Sequence, residues 1–284
     1  MDFLLNEKSL DGQFDNVDDF LESLRPVIKC MEIIHASSDA GIYKIQNFHE
    51  RRVTEKERVC DLKVHGVSDE LLRFKLSLDR ETYKAPYWDA EPSHDISQEF
   101  LWNGEDITAT SLAESAVTGN PLLSFKSDRF IDCMLIISSD KKEYNVNSVH
   151  TPKYLVEMYN DILKIDKKQM LLIRYAGTRV DCTTLEDNYG VSILEKNEFT
   201  ELISTLDKLA SHESWESIGR DDGLEYKKYS PSSSIDNWFR NAKYKEKTIM
   251  KFRFSSVLRG YGYRKGDKFR ILRLERDHSI SDNG

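Results

Sequence analysis

The last part of the chain alternates apolar and cationic side chains, a pattern that restricts this part to β structure. Met250, Phe252 and Phe254 alternate with Lys251 and Arg253, and the run FRILRL at residues 269–274 repeats the pattern. Side chains two residues apart share a face of a strand, so one face is apolar and the other cationic. The pattern predicts a small unit of two or three antiparallel strands, with arginines, lysines and tyrosines on a solvent face.

Charge is divided unevenly along the chain. Residues 226–277 contain 15 Lys or Arg against 5 Asp or Glu, so the other residues contain 26 basic and 44 acidic side chains. A basic segment attracts polyanions, and the acidic remainder can instead attract the segment itself. A polar run at residues 212–223 separates the two parts and is typical of a linker. We therefore predict an acidic body over residues 1–218 and a basic, aromatic β-hairpin unit over residues 222–284.

The body mixes helical and strand patterns without a regular β-α-β alternation. Asp15 or Asn16 can cap a helix, and this pair and the pair Thr151-Pro152 each precede apolar residues at helical spacing. The apolar runs at residues 131–138 and 170–175 predict strands, whereas the stretch after Ser68 fits a capped helix or a strand. This mixture predicts the α+β fold class, with a small antiparallel β unit at the C-terminal end.

Several function classes lack their motifs. The chain contains no G-x-G-x-x-G, no phosphate-binding G-x-x-x-x-G-K-[ST] and no G-x-S-x-G, which disfavours nucleotide-driven motors, simple dehydrogenases and α/β hydrolases. We predict no cofactor. No apolar stretch is long enough for a membrane helix, and the first residues do not resemble a secretion signal. We therefore expect a cytoplasmic location and no membrane partner. The four cysteines are widely spaced among apolar residues, which predicts buried thiols.

Two patterns resemble metal sites, but we predict no metal. Asp61 and Lys63 form the triplet Asp-x-Lys, which occurs in many magnesium-dependent nucleases. This triplet is common by chance, and the acidic residue that such a site needs upstream has no fixed spacing from it. A repeated Cys-x₄-His pair could form a zinc site, although structural zinc sites use closer cysteines in turns. This pair consists of Cys30, His35, Cys60 and His65.

The predicted cationic face suits nucleic acid. Arginines neutralise phosphates, tyrosines stack on unpaired bases, and the neighbouring Gly260 and Gly262 would let a sugar-phosphate backbone approach closely. The same face could instead dock on an acidic protein surface, including the chain's own body, or serve as the solvated side of an edge strand. The candidate nucleic-acid-binding residues are Arg253, Arg259, Tyr261, Tyr263, Arg264, Arg270, Arg273 and Arg276.

His278 is the candidate catalytic residue. It follows Arg273 and Arg276 closely, and RNA cleavage needs an acid and a base beside cations that contact the phosphate. The run GYRKGDKFRILRL resembles the basic hairpin of RelE-type ribonuclease toxins. That resemblance implies that Arg264, Arg270 and Arg273 contact phosphate or the transition state and that His278 carries protons.

The phrases SLAESAVTGNPLLSF and KFRILRLERDHSISDNG resemble uncharacterised proteins of bacterial mobile or defence islands. The leading hypothesis is a protein that binds RNA or DNA, as a ribonuclease-like effector of a bacterial anti-phage defence or toxin system. In that hypothesis the acidic body masks the basic surface until a partner displaces it. The alternative is a non-enzymatic subunit of a defence complex, whose basic hairpin docks an acidic partner protein encoded in the same operon.

Overall fold

The chain divides into two compact units, Met1–Ile165 and Asp166–Gly284. Each unit has its own sheet and its own helices, and the architecture is α+β, as predicted from the sequence. None of the helices in the described part of the chain is long and apolar enough to cross a membrane. The computed structural model describes residues 1–63, 68–140, 142–233 and 236–276.

The first unit surrounds a mixed sheet with the strand order β2-β1-β5-β7-β6-β3-β4. Strands β2, β1, β5 and β7 run parallel, and the remaining pairings are antiparallel. Its strands are β1 (Asp2–Asn6), β2 (Gly41–Tyr43), β3 (Leu101–Trp102), β4 (Glu105–Asp106), β5 (Leu122–Ser124), β6 (Cys133–Ser139) and β7 (Lys142–Val149). Its α-helices are α1 (Val17–Ala36), α2 (Asp69–Tyr83), α3 (Ser111–Thr118) and α4 (Pro152–Leu163).

The helices of the first unit begin where the sequence places caps. The side chains of Asn16, Ser68 and Thr151 accept hydrogen bonds from the first-turn amides of α1, α2 and α4, which satisfies donors that have no partner within the helix. The stretch after Ser68 is therefore a helix. Pro26 lies inside α1, and the helix continues past it to Ala36.

The second unit contains a five-stranded sheet with the order β8-β12-β11-β10-β9. Strand β8 pairs parallel with β12, and the other pairs are antiparallel. The strands are β8 (Val180–Asp181), β9 (Lys227–Lys228), β10 (Ile249–Arg253), β11 (Arg259–Lys265) and β12 (Lys268–Glu275). The α-helices are α5 (Lys167–Arg174), α6 (Lys196–Ser211) and α7 (Trp215–Gly219). The predicted C-terminal hairpin is thus β11 and β12, joined by the turn at residues 265–267.

The predicted division at residues 218–222 falls inside the second unit. The polar run at residues 212–223 is not a linker, because it folds into α7 and is tied to α6. Asp221 accepts hydrogen bonds from Lys208 at 2.6 Å and from His212 at 3.0 Å. Polar residues predicted a flexible connection here, whereas their side chains bind one another.

Residues 170–175, predicted as a strand, belong to helix α5 and the residue after it. Asp166 caps this helix by accepting from the amides of Lys168 and Gln169. An apolar run of this length fits a buried strand or a helix equally well by pattern. Leu171 and Tyr175 are buried in the core of the second unit.

Candidate nucleic-acid interface

Both faces of the second unit's sheet are covered, so the predicted solvent face does not exist as such. Phe252, Phe269 and Leu274 face a core formed with the helices, in which Leu202 and Leu206 of α6 are also buried. The opposite face packs into a second cluster, the aromatic cluster, to which the segment between β9 and β10 contributes Tyr229, Phe239 and Tyr244. The aromatic cluster consists of Tyr229, Phe239, Tyr244, Ile249, Tyr261, Tyr263 and Leu272, with Trp238 packed against it.

Tyr261 belongs to the interior. Its exposed fraction is 0%, and its hydroxyl donates to Glu275 Oε2 at 2.5 Å. The rings of Tyr229 and Trp238 meet it edge to face. Tyr261 therefore has no ring face for a base, and its candidacy as a stacking residue is wrong. Tyr263 of β11 is 8% exposed and lines a cavity.

Gly260 and Gly262 make room for side chains of the protein itself. A Cβ atom at Gly260 would lie 2.2 Å from the ring of Phe252, and one at Gly262 would lie 2.3 Å from the carbonyl oxygen of Arg270. These positions are closed by the sheet and its core. The prediction that they let a sugar-phosphate backbone approach is therefore wrong.

Arg273 is held inside the aromatic cluster. Its guanidinium carbon lies 4.8–5.3 Å from the ring centroids of Tyr189, Trp238, Phe239 and Tyr244. Its nitrogens donate to Glu186 at 2.8 Å and to the carbonyl oxygen of Trp238 at 2.7 Å. Arg273 is 9% exposed. A cation with this environment is a structural element and cannot reach a phosphate.

Four further candidate arginines are engaged within the second unit. Arg253 pairs with Glu225, Arg270 with Asp181 at 3.2 Å, and Arg276 with both Glu195 and Glu198. Arg259 is buried and donates to the carbonyl oxygens of Ser255 and Leu258, both at 3.0 Å. Three of these carboxylates, Asp181, Glu195 and Glu198, come from the predicted acidic body. The basic hairpin therefore docks in part on acidic residues of its own unit.

Arg264 is the candidate arginine that remains exposed at an open site. It lies at the end of β11, and its guanidinium carbon is 4.6 Å from the centroid of the Trp215 ring. A cavity of about 810 Å³ opens beside this pair. We call it the Trp215 groove. Its aromatic and cationic lining residues are Trp215, Tyr226, Tyr263, Lys247, Arg264 and Lys265.

The positive charge of the groove is not neutralised by ion pairs. Within the described part of the chain, no carboxylate lies within salt-bridge distance of Lys247, Arg264 or Lys265. Lys247 lies 4.5 Å from the ring centroid of Tyr263, and Arg264 Nε donates to the carbonyl oxygen of Gly266 at 3.0 Å. Glu246 is the carboxylate that lines the groove beside these three cations.

Trp215 is held in position from below the groove. Its indole Nε1 donates to Asp267 at 3.0 Å, and the guanidinium carbon of Arg179 lies 5.2 Å from its ring centroid. Arg179 in turn donates to the carbonyl oxygens of His212 and Glu213. The wall of the groove is therefore fixed before any ligand binds.

The two tyrosines of the groove differ in their electrostatics. Burial raises the pKa of Tyr226 to about 12. The pKa of Tyr263 is lowered, chiefly because its hydroxyl is hydrogen-bonded to Arg270, with the charge of Lys247 acting in the same direction. The contrast reflects the local field, because one ring rests against the core and the other lies among cations.

The alternatives in the first unit do not form sites in the described residues. Asp61 pairs with Arg58 at 2.7 Å and is exposed, in a single 3₁₀ turn, and no strand carries it. Cys30 and Cys182 are buried, Cys133 is partly buried and Cys60 is exposed, so the prediction of four buried thiols is wrong for Cys60 and Cys133. Among the described residues, no group of three or more His, Cys, Asp or Glu could hold a metal ion. His65, like His278, lies outside the described residues.

Sequence reasoning missed Trp215, Tyr226 and Lys247. Trp215 lies inside the run taken as a linker and Tyr226 follows it. A signal was present, because Ser214 and Ser217 form a capping box around the start of α7. A Trp directly after a helix cap in a polar run indicates a packed element and not a flexible connection. No protein-family model, curated protein or solved structure compared with this chain matched it.

Proposed function

We propose that the second unit binds nucleic acid through the Trp215 groove. The observation that supports this most directly is the combination of three cations, which form no ion pair with a described carboxylate, with three aromatic side chains around one cavity. Lysine and arginine attract phosphates, and aromatic rings attract bases, so the two kinds of residue together fit a polynucleotide better than either does alone. A purely acidic protein surface would use the cations and leave the rings without a partner.

The proposed binding surface lies at a different place on the hairpin from the surface that the sequence predicts. Of the binding residues predicted from the sequence, Arg264 and Tyr263 line the groove. The other arginines support the site indirectly, because their ion pairs fix β12 and the segments around it. The surface is therefore smaller than the sequence predicts and lies at one end of the sheet.

The test is binding of labelled single-stranded RNA, single-stranded DNA and duplex DNA to the full-length protein at several salt concentrations. If three cations contact phosphates of a single strand, the logarithm of the affinity falls with the logarithm of salt with a slope of about −2. The Lys247→Glu, Lys265→Glu double variant is expected to weaken binding by at least about tenfold at low salt, because two attractions become repulsions.

The matched control is a Lys29→Glu, Lys153→Glu double variant. It makes the same change in net charge at exposed positions on two helices of the first unit. Equal losses in both variants would show that net charge alone attracts the polynucleotide and would contradict the groove. A poly-glutamate peptide serves as the competing ligand. If it binds to the groove and no oligonucleotide does, the alternative of an acidic partner protein is favoured.

Cleavage and a role in defence are further parts of the proposal. His278 lies outside the described residues, so its role as a proton carrier rests on the sequence and on the resemblance to RelE-type toxins. Loss of RNA cleavage in His278→Ala, with binding retained, would support a ribonuclease-like effector in a cytoplasmic defence or toxin system. Binding without cleavage would support a non-enzymatic subunit.

A further inference from the structure

The walls of the Trp215 groove present ring surfaces to the cavity. Trp215 and Tyr226 are each partly exposed, with ring centroids 6.0 Å apart and planes inclined at 37°. Phe269 supports Tyr226 from the core side by an edge contact at 5.5 Å. The two rings are not stacked on each other, and both line the cavity.

Two of the cations lie directly against rings of the groove. Arg264 is 4.6 Å from the Trp215 ring centroid, and Lys247 is 4.5 Å from that of Tyr263. A flat group placed against one of these rings would carry its attached phosphates to the neighbouring cations. Met250 lines the groove between the two walls and provides an apolar contact.

We propose that the groove takes unpaired bases of a single-stranded nucleic acid, with the flanking phosphates on Lys247, Arg264 and Lys265. The proposal rests on the proposed function and names its substrate class. The bases of a duplex are paired and stacked, so a duplex can bring phosphates to the cations but no ring surface to Trp215 or Tyr226. Stacking on aromatic side chains is tolerant of base identity, so no sequence preference is expected.

The experiment compares a single-stranded oligonucleotide with an abasic oligomer of the same length, which has the same phosphates and no bases. The single strand is expected to bind about tenfold or more tightly than the abasic oligomer, which corresponds to stacking of one or two bases. It should also bind more tightly than a duplex of equal charge. Equal affinity for all three would overturn the proposal and leave the proposed function standing. Binding of none of them would overturn both.

A variant series assigns the effect to the ring. Trp215→Leu is expected to lose about tenfold in affinity for the single strand and nothing for the abasic oligomer, whereas Trp215→Phe keeps a ring and most of the affinity. Thermal unfolding checks that each variant is folded. Trp88 and Trp102 are buried, and Trp238 packs against the aromatic cluster and does not line the groove, so most of the quenching of tryptophan fluorescence by the single strand should be lost in Trp215→Phe. Quenching that persists unchanged in this variant would contradict the assignment.

Discussion

The covered face and the open end of the second unit's sheet contain the same residue types in opposite roles. On the covered face, Arg273 lies among four rings and binds Glu186, and Tyr261 is fully buried. At the open end, Arg264 and Lys247 lie beside the rings of Trp215 and Tyr263, with no ion pair to a described carboxylate. Cation-aromatic contacts occur in both regions, and those at the open end line a cavity.

The difference shows what a cation-aromatic pattern means in a sequence. An arginine among aromatic residues is a binding candidate only when its charge is left without a carboxylate and its rings keep an accessible face. The segment between β9 and β10 contributes to both regions, because its aromatic residues pack around Tyr261 and Arg273 while its Lys247 lines the groove. The three predictions that follow test the two regions against each other.

The largest effect is expected on the covered face. Arg273→Ala removes a buried charge partner from Glu186 and leaves a space among the rings, so the free energy of opening the β11–β12 hairpin should fall by about 3 kcal/mol. Hydrogen exchange of the hairpin amides measures this change. Arg276→Ala is the control, because its ion pairs are more exposed and should contribute less than about 1 kcal/mol. Similar losses in the two variants would contradict a structural role specific to Arg273.

A smaller effect is expected from the glycines of β11. Gly262→Ala would force a Cβ atom against the backbone of Arg270 and should destabilise the second unit by about 2 kcal/mol. Gly219→Ala, where no atom lies within 4 Å of the added Cβ, should be neutral or slightly stabilising. Urea unfolding of both variants measures the difference. A tolerated Gly262→Ala variant would reopen the idea that this strand accepts an external backbone.

The smallest effect is expected at low pH, where the contacts of Asp221 that support the open end should be lost. The pKa of Asp221 is lowered to about 2, first by its hydrogen bond with Lys208 and also by that with His212. A lowered pKa means that this contribution to stability is present above the ordinary value of 3.8 and is lost as the pH falls through about 2. Asp221→Asn should therefore flatten the loss of second-unit stability between about pH 4 and pH 2. An unchanged pH profile in this variant would contradict the anchoring role of Asp221.

Much of the local structure was predictable, because it depends on neighbours in the sequence. The caps Asn16 and Thr151 and the alternation at residues 250–254 predicted α1, α4 and β10. The prediction of a strand at residues 170–175 was wrong, because their pattern suits a strand or a helix equally well. Only the packing of Leu171 and Tyr175 in the core decides between the two. The prediction of a linker at residues 212–223 was wrong, because the polar composition of this run does not show that Asp221 binds the side chains of Lys208 and His212.

The sequence predicted the chemical character of the candidate site, but not which residues form it. The basic charge and aromatic content of residues 226–277 are properties of the sequence, and they indicate a polyanion as the partner. Which cations stay available is decided by tertiary structure, because each ion pair joins the hairpin to a carboxylate far away in sequence, as Arg273 joins Glu186 and Arg276 joins Glu198. The sequence by itself determined the α+β class, the hairpin and the sign of its charge, because these follow from local periodicity and composition. Only the folded unit decided that Arg264, Lys247 and Trp215 meet at one cavity while Tyr261 and Arg273 are enclosed, because burial depends on which distant segment covers each face.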